Sequence, residues 1–399
     1  MTSVAPPITA AAAAGAAAPA EAAVAIPWPV WVAVLAVTST VIGVQWDIAW
    51  HRSIGRDTFW SPPHIAIYLG GVLAPLAAGY QIMWTTFARS AAAAAARAAA
   101  VRIWGFSGPL GAFISAWGGV AMLASAPFDD WWHNTYGLDV KILSPPHTIL
   151  ALGIFALQLG ALILIMGIRN RATGPLRSLL TALFVYVGGF LLVVLMTFEM
   201  EFTHRTFQHS GTFYRAVMMM APLVLIGLGR ASGHRYGATL VAAIYSGVLL
   251  MLLWLFPLVP ATPKLGPVFH QVTHLIPAGF PLLLIVPGLM MDLVAPHLES
   301  RPRWQQALVL GWLFLAVFIA AQWPMATFLS SPYARNWLFG SHYFGYNSRL
   351  MSSEMRFTFH NADGSPQMFW KQLATAAVFA AITARMGLGL ASWLRQLRR

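Results

Sequence analysis

The sequence has no cysteine among its 399 residues, and only 9% of those residues are charged. The absence of cysteine excludes disulfides, thiolate metal ligation and iron–sulfur clusters. Any bound metal must therefore be held by histidine, carboxylate, amide, methionine or backbone groups. The scarcity of charge excludes an ordinary soluble domain, because soluble chains carry about 25% charged residues.

Hydrophobic residues make up 58% of the chain, and the mean hydropathy is +0.66. A membrane-spanning helix needs about 20 mostly apolar residues, and runs of that length recur along the sequence. We therefore predict an all-α polytopic membrane protein with about ten transmembrane helices arranged in tandem pairs. The predicted spans are 27–50, 63–88, 109–132, 146–168, 176–202, 214–230, 237–259, 276–295, 304–328 and 371–394.

Composition divides the chain into three regions. Residues 1–26 are rich in alanine and proline and are predicted to be disordered. Residues 27–202 contain the helix pairs that carry two predicted metal sites. Residues 203–399 add further spans, together with a long aromatic-rich loop at 329–370 that we expect to cap the outer face.

The net charge of +12 comes from basic residues that gather where even-numbered spans end. This placement is typical of the positive-inside rule and does not form a phosphate-binding surface, so we expect a lipid bilayer and no nucleic acid as the partner. Both termini are then predicted to be cytoplasmic, in a bacterial inner membrane. The opposite end receives most of the histidines and several acids, including Glu199.

The first unusual segment reads DIAWHRSIGRDTFWSPPH at 47–64. Asp47 and His51 are four residues apart and so share one face of a helix. Ser61 and the prolines after it are typical of a helix start, which places His64 in the first turn of the next helix. Two imidazoles and a carboxylate on antiparallel helices form a ligand set for copper, zinc or iron. The alternative is a hydrogen-bonded pair of interfacial histidines.

The pattern recurs at 129–147, which reads DDWWHNTYGLDVKILSPPH. The places of the Asp and the two His residues are taken here by Asp129, His133 and His147. The neighbouring Asp130 is the alternative to Asp129 as the carboxylate ligand. The repetition favours metal binding, with both sites at the same depth and beside one another. Later outer loops offer further possible ligands, namely Glu201, His204, His209, His270 and His274.

These two spacings resemble the C subunit of the copper membrane monooxygenases, the family of particulate methane and ammonia monooxygenases. That family has Asp, three residues, His, twelve residues and His at one copper site, and here this pattern falls on Asp47, His51 and His64. Its second pattern begins with Asn, where this chain has Asp129. The resemblance covers roughly residues 27–200, and neither a cupredoxin-like domain nor an A-subunit region is recognisable.

The resemblance implies a copper-dependent membrane monooxygenase, or a subunit of one, with one or two copper ions. It would bind O2 and oxidise a small apolar substrate near the outer face, with electrons from a quinol or another membrane donor, and other monooxygenase subunits as partners. Arg56 and Asp57 would orient the ligands from outside the first shell. Two alternatives stay open: a metal-handling or transport protein, and a structural partner with interfacial histidines.

Overall fold

The computed structural model describes residues 26–55, 57–137, 144–204, 207–264, 272–340 and 363–397. Nearly all of the predicted tail at 1–26 lies outside these ranges, as does 341–362 of the predicted outer cap. Arg56 and His270, which the sequence singles out, also lie outside them.

The described ranges are mostly helical, with one short β-hairpin. In chain order the elements are α1 (Trp28–Ser53), α2 (Pro62–Phe87), α3 (Ala91–Ala98), β1 (Val101–Ile103), β2 (Phe106–Gly108), α4 (Leu110–Tyr136), α5 (Pro145–Arg169), α6 (Gly174–Phe198), α7 (Gly211–Ser232), α8 (Gly237–Leu255), α9 (Ile285–Val294), α10 (Arg303–Leu329) and α11 (Pro366–Gln396). The hairpin is antiparallel and pairs Val101 with Gly108.

Nine helices within these ranges are long and apolar enough to cross a membrane, all of those above except α3 and α9. The predicted class, an all-α polytopic membrane protein that contacts lipid, is confirmed. The tandem pairing is also present, since α1 packs on α2 and α4 packs on α5.

The structure differs from the prediction at the eighth span, 276–295. Residues 275–283 form neither helix nor strand, and only the ten residues of α9 are α-helical, followed by a 3-10 turn at Ala295–Leu298. Proline explains the interruption: Pro277 and Pro281 lack the N–H that a helix interior requires, and they disfavour a helical conformation in the preceding residue. The mean hydropathy of residues 276–295 indicates burial, but it does not show where a helix is interrupted.

Glycine residues bring the two helices of a pair into close contact, as in the pair α4 and α5. A Cβ atom on Gly118 of α4 would lie 2.8 Å from the carbonyl oxygen of Gly153 in α5, and the reverse substitution meets the carbonyl of Gly118 at 2.8 Å. About two helical turns along the same interface, Gly111 and Gly160 make the same reciprocal contact. Small residues let membrane helices approach with their backbones in contact. These contacts therefore fix the shift of α4 and α5 along their axes as well as the separation of the two helices.

The arginine-rich ends of the helices meet at one end of the bundle. Arg169 at the end of α5 donates to the carbonyl of Ser232, the last residue of α7, and Arg395 of α11 donates to the carbonyl of Arg230. Arg230 in turn pairs with Glu299, just beyond α9. The ends that the sequence assigns to the basic side are thus joined to each other.

We predict that Gly118→Val destabilises the protein by about 1–3 kcal/mol, the usual cost of overpacking a tight contact. The added methyl groups would push α4 from α5 and move Asp129 away from His147. Thermal unfolding of the detergent-purified protein measures the change.

Gly79→Val is the matched control, because nothing lies within 4 Å of a Cβ at Gly79 of α2. Equal loss of stability in the two variants would contradict the proposed role of the close glycine contact.

Candidate metal centre

The end of α1 and the start of α2 bring four side chains together. Asp47 and His51 lie one turn apart in the last part of α1, and His64 lies in the first turn of α2. Ser61 precedes the helix as its N-cap residue, with its hydroxyl accepting a hydrogen bond from the N–H of Thr58 at 2.7 Å. This turn places Asp57 over the two histidines.

We call Asp47, His51, Asp57 and His64 the first metal group. The ligand atoms of Asp47, Asp57 and His64 lie within 4.8 Å of one another, and the exposed His51 joins them through its contacts with the two carboxylates. The Nε2 atom of His64 lies 3.3 Å from Oδ1 of Asp47 and 3.0 Å from Oδ2 of Asp57. The Nε2 atom of His51 lies 3.7 Å from Oδ2 of Asp47 and 3.4 Å from Oδ2 of Asp57. Each imidazole therefore presents the same nitrogen to both carboxylates.

These separations fit a metal ion. Tetrahedral coordination with bonds of 2.0–2.1 Å places neighbouring ligand atoms about 3.3 Å apart, close to the middle of the observed 3.0–3.7 Å range. The Oδ1 atom of Asp47 is buried and makes no hydrogen bond within the described part of the chain, although His64 is near it. The nitrogen and oxygen donors suit copper, zinc or iron.

From the sequence, Asp57 is expected to orient the ligands without joining them. In the structure its carboxylate contacts both His51 and His64, so Asp57 lies among the possible ligands. Burial alone would raise the pKa of Asp57. Hydrogen bonds from His51 and His64 outweigh that effect and hold the pKa of this carboxyl well below its usual range. The group therefore stays ionised and can balance a bound cation. Its position between the two histidines was the available signal in the sequence.

The end of α4 and the start of α5 form a second metal group, Asp129, His133 and His147. The Oδ1 atom of Asp129 lies 3.5 Å from Nε2 of His133 and 3.3 Å from Nε2 of His147. The hydroxyl of Ser144, the N-cap of α5, accepts a hydrogen bond from the backbone N–H of His147 at 3.4 Å. The helix start itself thus positions this ligand.

The tautomer of His133 is fixed by the backbone. Its Nδ1 lies 3.0 Å from the carbonyl oxygen of Gly137, which can only accept a hydrogen bond, so Nδ1 carries the proton. Gly137 provides this carbonyl with a positive φ of 85°, a conformation that favours glycine. In the neutral imidazole, the lone pair of Nε2 then points towards the carboxylate of Asp129. A metal ion bound by both groups would lie between these two atoms.

The two metal groups share one cavity of about 280 Å³. Asp57 and His64 line it from one side, and Asp129 and His133 from the other. Phe59 and Tyr68 form an aromatic part of the wall, with ring centroids 5.3 Å apart.

Asp130 also lines this cavity, but its Oδ2 accepts a hydrogen bond from Nδ2 of Asn134 at 3.2 Å. The structure therefore places Asp129, and not Asp130, among the histidines.

The other sequence candidates lie apart from these groups. His209 contacts the hydroxyl of Thr327 on α10, and His274 contacts the hydroxyl of its neighbour Thr273. His204 lines a separate cavity. Within the described ranges, neither these three nor Glu201 belongs to a cluster of three metal-competent side chains.

Glu199 follows α6 and is 8% exposed. Burial raises the pKa of Glu199 to about 7, and the attraction of Arg215 offsets only part of that effect.

Comparison with protein-family models, with curated proteins and with solved structures finds no match for this chain.

We predict that Asp129→Asn weakens metal binding by the purified protein, with copper as the probe, and that Asp130→Asn does not. Even outer partners of metal ligands are worth about 10–100-fold in affinity, so loss of a charged ligand should weaken binding at the second metal group at least about tenfold. Equilibrium dialysis against copper, followed by metal analysis, measures the effect. The reverse ranking of the two variants would assign the ligand role to Asp130.

Proposed function

We propose that this chain is a copper-dependent membrane monooxygenase or a subunit of one, which oxidises a small apolar substrate at the shared cavity. The observation that supports the proposal most is the meeting of two His/Asp groups at metal-ligand spacing around a single cavity. It is the arrangement that the family resemblance implies.

Asp47, His51, Asp57 and His64 would hold one copper ion, and Asp129, His133 and His147 a second. Bound copper supplies one-electron redox chemistry and a coordination position for O2. Two carboxylates in the first metal group balance the charge of a divalent ion. The second metal group has one carboxylate and three ligands, which leaves it more open to further ligands from the cavity.

The chain's own residues define what enters the site. Phe59, Tyr68 and Ala126 provide apolar wall, so a small apolar molecule would gain contact there. The hydrogen bond from His133 to Gly137 keeps the imidazole in the tautomer that binds metal. Electrons would come from a quinol or from a partner subunit.

A second candidate function is metal handling or transport. It is favoured by the break between residues 275 and 284, followed by the short helix α9, because discontinuous helices are typical of transporter binding sites. The metal groups would then bind cargo, with no oxidation of a substrate.

We also propose that the chain lies in a bacterial inner membrane with the metal groups on the periplasmic side and both termini in the cytoplasm. The supporting observation is that arginines join the helix ends opposite the metal groups. Loops rich in arginine stay on the cytoplasmic side during insertion.

The orientation predicts the labelling of two single-cysteine variants, since the chain has no native cysteine. Trp60→Cys, between α1 and α2, should react with a membrane-impermeant maleimide applied from the periplasm. Trp104→Cys, in the hairpin turn, should react only after the membrane is opened. Both tryptophans are highly exposed, at 70% and 78%, so neither result depends on burial. The opposite pattern would invert the topology.

The enzymatic proposal predicts that His51→Ala loses about one equivalent of copper and the oxidising activity with it. Membranes that contain the native protein, supplied with a short-chain alkene, a quinol and ¹⁸O₂, should yield product labelled with ¹⁸O. The control is His297→Ala, an exposed histidine at the arginine-rich end.

The readouts separate the two candidate functions. Copper binding that depends on His51, without oxygen incorporation into any tested alkane, alkene or ammonia, would replace the monooxygenase with the metal-handling function. Unchanged copper content in folded His51→Ala would overturn both.

A further inference from the structure

A cavity of about 320 Å³ lies at the end of the bundle opposite the metal groups. Its wall comes from the first residues of α1 and α4 and from the last turns of α2 and α5. Ala96 of the short helix α3 lines it as well, and we call the cavity the α3 pocket. The proposed function assigns no role to this part of the molecule.

The wall of the α3 pocket is mostly apolar and aromatic. Leu164 and Ile168 of α5 line it, together with Trp28 of α1 and Tyr80 of α2. The rings of Trp28 and Tyr80 lie 5.1 Å apart between centroids, and both residues are about half exposed. The pocket therefore opens on the outer surface of the bundle, at the level where tryptophan and tyrosine meet lipid headgroups.

Two guanidinium groups are held at the rim of the pocket by contacts with residues of its wall. Nη1 of Arg97 donates to the carbonyl of Thr85 at 2.8 Å, and Thr85 lines the pocket. Nε of Arg171 donates to the carbonyl of Gly167 at 3.0 Å, and Gly167 lines the pocket too. Each arginine is positioned through one nitrogen, which leaves its other nitrogens available to a ligand.

The sequence supplies no carboxylate that could balance this charge from the neighbouring helices. Residues 65–128 and 148–198 contain no aspartate or glutamate, yet they carry six arginines, which are Arg89, Arg97, Arg102, Arg169, Arg171 and Arg177. Glu299, an acid at the same end of the bundle, pairs with Arg230 of α7. The α3 pocket thus joins an apolar wall to a rim of positive charge.

A phospholipid matches both parts of the site. Guanidinium groups bind phosphate through charge-assisted hydrogen bonds, and basic pockets between membrane helices are typical sites for anionic lipid headgroups. The apolar wall suits an acyl chain, which a small soluble anion lacks.

We propose that the α3 pocket binds an anionic phospholipid, with its phosphate at Arg97 and Arg171 and an acyl chain along the apolar wall. The site is separate from the two metal groups. The inference depends neither on the enzymatic proposal nor on which end of the bundle faces the cytoplasm.

The first test compares two lipids on the native protein, purified in dodecyl maltoside and stripped of lipid. In native mass spectrometry, dioleoyl phosphatidylglycerol should form a single adduct that saturates first. Dioleoyl phosphatidylcholine should bind at least about tenfold more weakly, because it has no net charge for the two arginines to attract. Glycerol phosphate, a phosphate without an acyl chain, should not displace the lipid. Equal affinity for the two lipids, or displacement by glycerol phosphate, would overturn the proposal.

A pair of variants on α3 then locates the lipid. Ala96→Trp places a large side chain in the pocket and should weaken phosphatidylglycerol binding at least about tenfold, because it occupies the space of the acyl chain. Ala94→Trp is the matched control, since Ala94 is exposed on the same helix and does not line the pocket. Equal affinity in the two variants would rule out the α3 pocket as the site.

A second pair of variants tests the charge and does not alter the shape of α3. Arg171→Gln should weaken phosphatidylglycerol binding about fivefold, the usual effect of one basic residue near anionic lipid. Arg303→Gln removes an exposed arginine at the start of α10, at the same end of the bundle but outside the pocket, and should leave binding unchanged. An equal loss in both would show general surface attraction and overturn the assignment to Arg171.

Discussion

The close approach of backbone to backbone within each helix pair is the constraint on which the rest of the structure depends. Glycines of α4 and α5 face each other at Gly118 and Gly153, and Gly70 of α2 packs on the backbone of α1 at Ala36. With no side chain between them, the helices cannot slide without a clash. Their ends are therefore held level, and a ligand from the end of one helix meets a ligand from the start of the next.

This constraint explains why the spacing in the sequence is informative. Asp47 and His51 are set one turn apart by the helix itself, and Ser-Pro-Pro restarts the chain so that His64 lies in the first turn of α2. The same local rules operate at 129–147. Each ligand's position along its own helix follows from nearby residues alone, so these placements could be predicted before the packing was known.

What the sequence could not supply depends on longer-range or irregular structure. The contact of Asp57 with two histidines follows from the path of a non-helical turn, which periodicity does not describe. The break near Pro277 and Pro281 has the apolar composition of a span, yet three of its backbone groups bond to Ser53, Arg52 and Gln322 from distant parts of the chain. The assignment of metal and chemistry stays a proposal, because a resemblance in ligand spacing fixes donor types and not reactivity.

The two metal groups at the shared cavity differ in the number of carboxylates, and so in charge and in open coordination positions. The first metal group combines two carboxylates with two imidazoles, which would cancel the charge of a divalent ion and supply it with four ligands. The second combines one carboxylate with two imidazoles, and one of those imidazoles is held by a backbone carbonyl rather than by another acid. A divalent ion there would keep net positive charge and open positions. Within the proposed function, a small molecule that enters the cavity would therefore meet its metal at the second group, and the first would serve to hold charge beside it.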